Sequence, residues 1–240
     1  GLIGDLYVLP RYRSEEMENQ LLRPVLDRLA EAPWVRRVES QLMMLTRSFD
    51  RILPFSEHVS AYPRTFMTVP LDSVERLPHG GRDIGITYQT WHDRFQEEAA
   101  HLISAAYRGH IDSEINDQYR SPSGARRFLL NIVQYPGCGA FYSTASQVAM
   151  TPGHRLCGIS LASLVRHDVG HITQICVGPE VRGKHVGYEL LRRSLVELRR
   201  QGCRKATLTV TTANETAIRL YRQVGFAPSR SFAAFVWDGL

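Results

Sequence analysis

Apolar residues recur at Leu21, Leu22, Val25, Leu26 and Leu29, a spacing that predicts an amphipathic helix. Ser14 stands just before it as a candidate cap, and Glu15 and Glu16 fall in the first turn, where acids suit the helix dipole. Pro24 lies inside the pattern and should kink the helix or mark its start. The runs 5–10, 35–45 and 62–71 read as strands. Residues 76–82, with Pro78, Gly80 and Gly81, are the best linker candidate.

A second pattern begins at a predicted strand, Ile84–Gln89. A helix over 92–107 follows, with Phe95, Ala99, Leu102, Ile103 and Ala106 on one face, and another over 121–134, with Ser121 as cap and Pro122 at its first position. Three strand-like runs come next, at 140–150, 156–166 and 170–177. The third enters the turn GPEVRGKHVG and a helix over 188–200, striped by Leu190, Leu191, Leu195 and Leu198, with Glu189 spaced to pair with Arg193. A strand at 204–211, a helix at 214–224 and a strand at 230–237 close the pattern.

The 240 residues are 43% hydrophobic and 22% charged, which excludes intrinsic disorder and permits one large domain or two small ones. No apolar run approaches the roughly 20 residues of a membrane span, and the first residues lack a secretory signal pattern. The four cysteines form no CxxC pair and have no histidines at zinc-finger spacing, so neither a disulfide scaffold nor a metal is expected, and a cytoplasmic setting is.

The net charge of +5 is local, since residues 182–230 hold 11 bases against 3 acids. A compact patch suits a phosphorylated small molecule. Nucleic acid is not expected, because neither interleaved aromatics nor a groove-entering helix accompanies the patch.

The candidate chemistry sits in the turn Arg182-Gly183-Lys184-His185-Val186-Gly187 and the helix after it. Glycines let main-chain N–H groups point outward, and the helix N-terminus adds partial positive charge. Together they make an anion site suited to a pyrophosphate. About 25 residues on stands Asn214-Glu215-Thr216-Ala217-Ile218-Arg219-Leu220-Tyr221-Arg222-Gln223-Val224-Gly225-Phe226. This pair of segments resembles the GNAT superfamily of N-acetyltransferases, whose motif A reads Q/R-x-x-G-x-G/A and whose motif B reads N-x-x-A-x-x-L-Y-x-x-x-G-F. The resemblance covers residues 81–240 and implies an α/β fold with a mixed, mostly antiparallel central sheet flanked by helices.

It also implies acetyl-CoA as cosubstrate and a primary amine as acceptor. The main chain of Ile175, Cys176 and Val177 would pair with the pantetheine arm. The amides of Gly183, Lys184, His185, Val186, Gly187 and Tyr188 would hold the pyrophosphate, with Arg182 nearby. Asn214 and Ala217 would also meet the cofactor, and Tyr221 would protonate the leaving thiolate. For Asn214 helix capping is an alternative role, and for Tyr221 packing against the sheet. Here the first family glycine is replaced by His185, whose β-carbon is compatible with the site if its φ is helical. The family's glutamate before motif A is also missing, and His171 is the local candidate for the base, or else an ordinary strand-end histidine. Cys176 lacks a visible activating pair and reads as a small hydrophobe.

The aromatic residues Tyr107, Tyr119, Tyr135, Phe141 and Tyr142 either line an acceptor pocket or serve as core and loop. Residues 1–80 resemble a degenerate, partial GNAT unit carrying Glu15, Glu16 and Glu18 where a pyrophosphate would need glycines. No acetyl-CoA is expected there. An unrelated α/β segment is the alternative. This part should complete a sheet on the second unit or on a neighbouring subunit, the latter in a homodimer. The functional expectation is acetyl transfer to an amine, with an inactive acetyl-CoA sensor or structural module as the alternative.

Overall fold

The computed structural model describes residues 1–80, 85–135 and 137–240. Gly81 and Arg82 of the expected linker, and Ile84 of the expected strand, lie outside the described residues. The elements follow in the order β1 (Leu2–Ile3), α1 (Glu15–Ala30), β2 (Arg37–Ser40), β3 (Val59–Pro70), β4 (Thr87–Thr90), α2 (Gln96–Ala106), α3 (Asp112–Ile115), α4 (Pro122–Gln134), β5 (Ala140–Phe141), β6 (Gln147–Met150), β7 (Leu156–Arg166), β8 (Val169–Val177), α5 (Val186–Arg200), β9 (Lys205–Thr211), α6 (Glu215–Gln223) and β10 (Ala227–Asp238).

These elements form two compact units. One comprises Gly1–Phe66, Thr211–Ala213 and Arg230–Leu240, and the other Met67–Val210 and Asn214–Ser229. The division expected between residues 80 and 81 is therefore displaced. Met67, Val69, Leu71 and Val74 are buried in the core of the second unit, whereas Ala233, Phe235 and Trp237 are buried in the core of the first. Burial of these apolar side chains, rather than the Pro/Gly-rich stretch, sets the partition.

In the first unit, Ser14 caps α1 by accepting the Met17 N–H at 3.1 Å. The helix runs through Pro24 without a break. Leu22 and Leu26 are buried, while Leu21 and Val25 of the same stripe face solvent. β2 pairs in parallel with β1 and antiparallel with β10. Trp237 is fully buried and donates its indole N–H to the Pro54 carbonyl at 2.8 Å.

Two expected strands are corrected here. Residues 5–10 are irregular and lead into a 3-10 turn at Pro10–Tyr12, since proline brings no donor and the Asp5 side chain takes the Leu6 N–H. The strand expected over 35–45 stops at Ser40, and Leu42 and Leu45 enter the core from a turn.

In the second unit the sheet runs β4-β6-β7-β8-β9 and then the later residues of β3, with β5 attached to β7. Pairing is antiparallel from β4 to β8 and parallel between β8 and β9. β7 serves both faces by alternation. Ile159 and Leu161 pack with Trp91, Phe95, Ile103 and Leu129, while Ala162 packs with the α5 stripe and Ser160 accepts a hydrogen bond from Ser194 at 2.8 Å.

The run 140–150 is two short strands around a 3-10 turn, because Ser146 bonds across to Tyr142 and Ala162. The connection between α2 and α4 holds the short helix α3 and a 3-10 turn at Asp117–Arg120, neither of which the sequence pattern announces.

Candidate active site

β8 has one free edge. Its parallel pairing with β9 ends at Ile172 opposite Leu208, yet β8 continues to Val177 and β9 to Thr211. On the other side, the register with β7 skips Thr173, so the strand bulges where the β9 pairing stops. A bulge re-aims a strand and ends its pairing. The main chain of Ile175, Cys176 and Val177 thus lies on a segment that β9 does not cover.

β8 leads through a 3-10 turn at Pro179–Val181 to the basic turn. Gly183 has φ +72° and His185 φ +61°. The condition of a helical φ at His185 is not met. The residue is left-handed, at a cost of about 1–2 kcal/mol for a side chain other than glycine. Alternation of left- and right-handed residues turns successive N–H groups toward one point, as anion-binding nests do.

α5 starts immediately after, and no side chain caps it. The first helical bond is from the Glu189 N–H to the His185 carbonyl at 3.0 Å, so the amides of Val186, Gly187 and Tyr188 precede it as orphan donors. A β-carbon at Gly183 would meet nothing within 4 Å, and one at Gly187 would touch only Leu220 and Val177, at 3.6 and 3.7 Å. The open space beside Gly183 and the uncapped amides fit a pyrophosphate.

Arg182 is turned partly away, since its guanidinium donates to the Ala106 carbonyl at the end of α2 at 2.7 Å. Tyr188 presents its amide and not its ring, because its hydroxyl donates to Pro78 at 3.0 Å. Part of the basic patch is paired with acids. Arg192 and Arg193 hold Glu189 at 2.8 and 2.7 Å, Arg200 holds Glu197 and Arg219 holds Glu215. Burial would raise the Glu189 pKa, but the bonds from Arg192 and Gly80 and the two arginine charges outweigh it and hold the carboxyl at about 2.

α6 supplies the far wall. Asn214 caps it by accepting the Ala217 N–H at 3.1 Å, and its amide nitrogen lies 3.2 Å from His110 Nε2. Tyr221 is buried with its ring edge-on to Phe226.

Tyr107 is tied to β8. Its hydroxyl donates to the Ile175 carbonyl at 3.4 Å and accepts from Gln174 at 3.0 Å, and its ring stacks on Tyr119 at 4.4 Å. Burial pushes the Tyr107 phenol well above its ordinary pKa, and neighbouring Tyr119, Asp112, Cys176 and Tyr221 add to the push. Burial also raises the Cys176 thiol to about 12, which leaves it a neutral, poor nucleophile.

His171 stands apart from this group. One ring nitrogen is 2.7 Å from Thr207 Oγ1, and burial lowers its pKa to about 4. It precedes Ile175 by four residues, about 13 Å along a strand. Of the other expected aromatics, Tyr135 is exposed, Phe141 packs edge-on to Trp91 and the Tyr142 hydroxyl donates to Gln201. His110, Asp112 and Gln174 join the site with no motif to announce them. Among the described residues no cluster of three metal-ligating side chains occurs, and no helix is long and apolar enough to cross a membrane.

Residues 112–226 match the model of the Acetyltransferase (GNAT) family. A GCN5-related N-acetyltransferase from Sphaerobacter thermophilus is similar with TM-score 0.71 and 20% identity, over 99% of this chain and 73% of that one. A tandem GNAT protein from the clavulanic acid biosynthesis pathway gives 0.61 and 17%, over 98% and 73%. A GCN5-related N-acetyltransferase from Kribbella flavida gives 0.57 and 14%, over 92% and 74%. No curated protein matches the sequence.

Proposed function

We propose that the second unit, which holds the residues 112–226 that match the GNAT family model, is an acetyl-CoA-dependent N-acetyltransferase acting on a primary amine. The observation that carries this reading is the uncovered β8 edge, which leads directly to the left-handed turn and the uncapped start of α5. Acetyl-CoA supplies an activated thioester. The main chain of Ile175–Val177 would align its arm, and the amides of residues 183–188 would hold the pyrophosphate. Asn214 and Ala217 at the start of α6 would face the cofactor. An N–H near Cys176–Val177 would stabilise negative charge on the carbonyl oxygen. Tyr221 would donate a proton to the departing sulfur.

The first unit is proposed to be a partial GNAT-like unit that does not bind acetyl-CoA. Glu18, which follows the start of α1, is fully buried and is engaged by Thr46 and Arg51. No residue between 5 and 46 has positive φ, so the left-handed turn of the second unit has no counterpart before α1.

The test is release of free thiol from acetyl-CoA in the presence of spermidine, glucosamine, tyramine and a peptide with a free N-terminus. Amine-dependent release supports transfer. Calorimetric binding of CoA with no release for any amine favours a sensor, the second reading, which the histidine in the glycine position motivates.

A further inference from the structure

His110, in the connection between α2 and α3, faces two hydrogen-bond donors at once. The Asp112 main-chain N–H donates to its Nδ1 at 3.1 Å, and Asn214 Nδ2 lies 3.2 Å from its Nε2. Asn214 Oδ1 accepts the Ala217 N–H, so the nitrogen of that amide is the atom turned to the ring. An imidazole with one proton has one lone pair, and an imidazolium has none. The ring therefore answers one of the two donors, never both.

The turn decides which. Gly109, at φ +70°, lets the chain reverse after α2. The His110 carbonyl then accepts the Ser113 N–H at 2.9 Å and the Ser113 hydroxyl at 2.6 Å. The Asp112 N–H is fixed inside this turn, and a main-chain donor there is costly to leave unmade. Asn214 and the His110 side chain are partly exposed, so an oxygen from outside can meet their outer N–H groups. Nδ1 accordingly keeps the main-chain bond and the proton sits on Nε2. Two donors, His110 Nε2–H and Asn214 Nδ2–H, then stand side by side with 3.2 Å between their nitrogens. One oxygen can accept from both.

This pair belongs to a segment that touches every element assigned to acetyl-CoA above. The Ala106 carbonyl accepts from Arg182 of the basic turn, and the Tyr107 hydroxyl donates to Ile175 of β8. The Tyr107 ring meets the His110 ring edge-on with centroids 5.2 Å apart, and His110 reaches Asn214 at the start of α6. The Asp112 carboxylate stands 3.6 Å from Nδ1. Negative charge on that side of the ring disfavours a phosphate or carboxylate at the other, and a neutral carbonyl oxygen suits the pair.

We propose that His110 Nε2–H and the Asn214 side-chain amide together hold one amide oxygen of the pantetheine arm. The inference rests on the acetyl-CoA reading above and adds His110 to it as a binding residue. The amides of residues 183–188 grip the phosphate end of the cofactor. The His110–Asn214 pair fixes the arm at a point the phosphates do not reach.

Substitution separates the two ring nitrogens. Asparagine at 110 offers a carbonyl oxygen in place of Nδ1, as asparagine does in turns, and has no donor in place of Nε2. Glutamine reaches the Nε2 position with an N–H and leaves Nδ1 unreplaced. Calorimetry gives Kd for CoA and for 3′-phospho-ADP, which has the pyrophosphate and no arm, and melting curves confirm folding. His110→Asn should weaken CoA about 5-fold, the loss of one hydrogen bond, and leave 3′-phospho-ADP unchanged. His110→Gln should hold CoA within about 2-fold of wild type.

The reverse order, with H110Q weakened and H110N unaffected, assigns the residue to the turn alone and overturns the proposal. Equal loss on both probes in H110N, or no loss on either, overturns it as well while leaving CoA binding intact. Failure of the wild type to bind CoA overturns the acetyl-CoA reading and this inference with it.

Discussion

Gly80 is pressed against Tyr188. A β-carbon at position 80 would lie 2.3 Å from Tyr188 Cδ1, and the Gly80 N–H donates to Glu189 at 2.8 Å. Tyr188 and Arg192 add bonds to Pro78 and His79. The segment 78–80 is thus fastened to α5 by main-chain and side-chain bonds.

Gly80→Ala should destabilise the protein by about 1–3 kcal/mol through that overlap. Glu189→Gln should cost about 3 kcal/mol, because it leaves Arg192 and Arg193 without their shared carboxylate. Urea unfolding at pH 7 checks both. Glu189 titrates below its ordinary 4.5, at about 2. Its contribution is therefore complete above 4.5 and lost as the pH falls through about 2.

His185→Gly should stabilise the fold by about 1 kcal/mol, because glycine occupies the left-handed region without a steric penalty. CoA affinity should be retained, since the amide stays in place. His185→Val should destabilise, as a branched β-carbon tolerates that φ poorly. Thermal melts and calorimetric titration with CoA measure these outcomes.

Tyr221→Phe should lower kcat about 100-fold by removing the proton donor while leaving KM for acetyl-CoA nearly unchanged. The ring contact with Phe226 survives the substitution, so melting temperature should move little. Equal kcat in both proteins would remove Tyr221 from the mechanism.

His171 titrates at about 4 against an ordinary 6.5 because burial disfavours its charged form. Between these values the unfolded chain binds more protons, so stability is full above 6.5 and falls as the pH drops toward 4. The loss is about 2 kcal/mol between pH 7.5 and 5. His171→Asn should flatten that part of the curve, as read from urea midpoints at the two pH values.

The helices around the site were legible because their signals are local. The α5 stripe of Leu190, Leu191, Leu195 and Leu198 is fully buried, and Ser14, Ser121 and Asn214 cap the helices they precede. The turn and α6 were legible as spaced motifs. What pattern could not supply was tertiary pairing. His110 meets Asn214 across 104 residues and Arg182 meets Ala106 across 76. The fate of His171 depended on burial against Thr207, which its neighbours in sequence do not encode. The left-handed φ at His185 follows from the turn the chain must make there, and a histidine does not advertise it.

The first unit's core draws on both ends of the sequence, with Leu22, Leu26 and Val38 meeting Phe235 and Trp237. During synthesis, its opening residues leave the ribosome long before the strand that covers them, while nearly all of the second unit is already available. Such non-local closure slows folding and leaves apolar surface uncovered in the nascent chain. The second unit can therefore assemble first, and the first must wait for translation of β10.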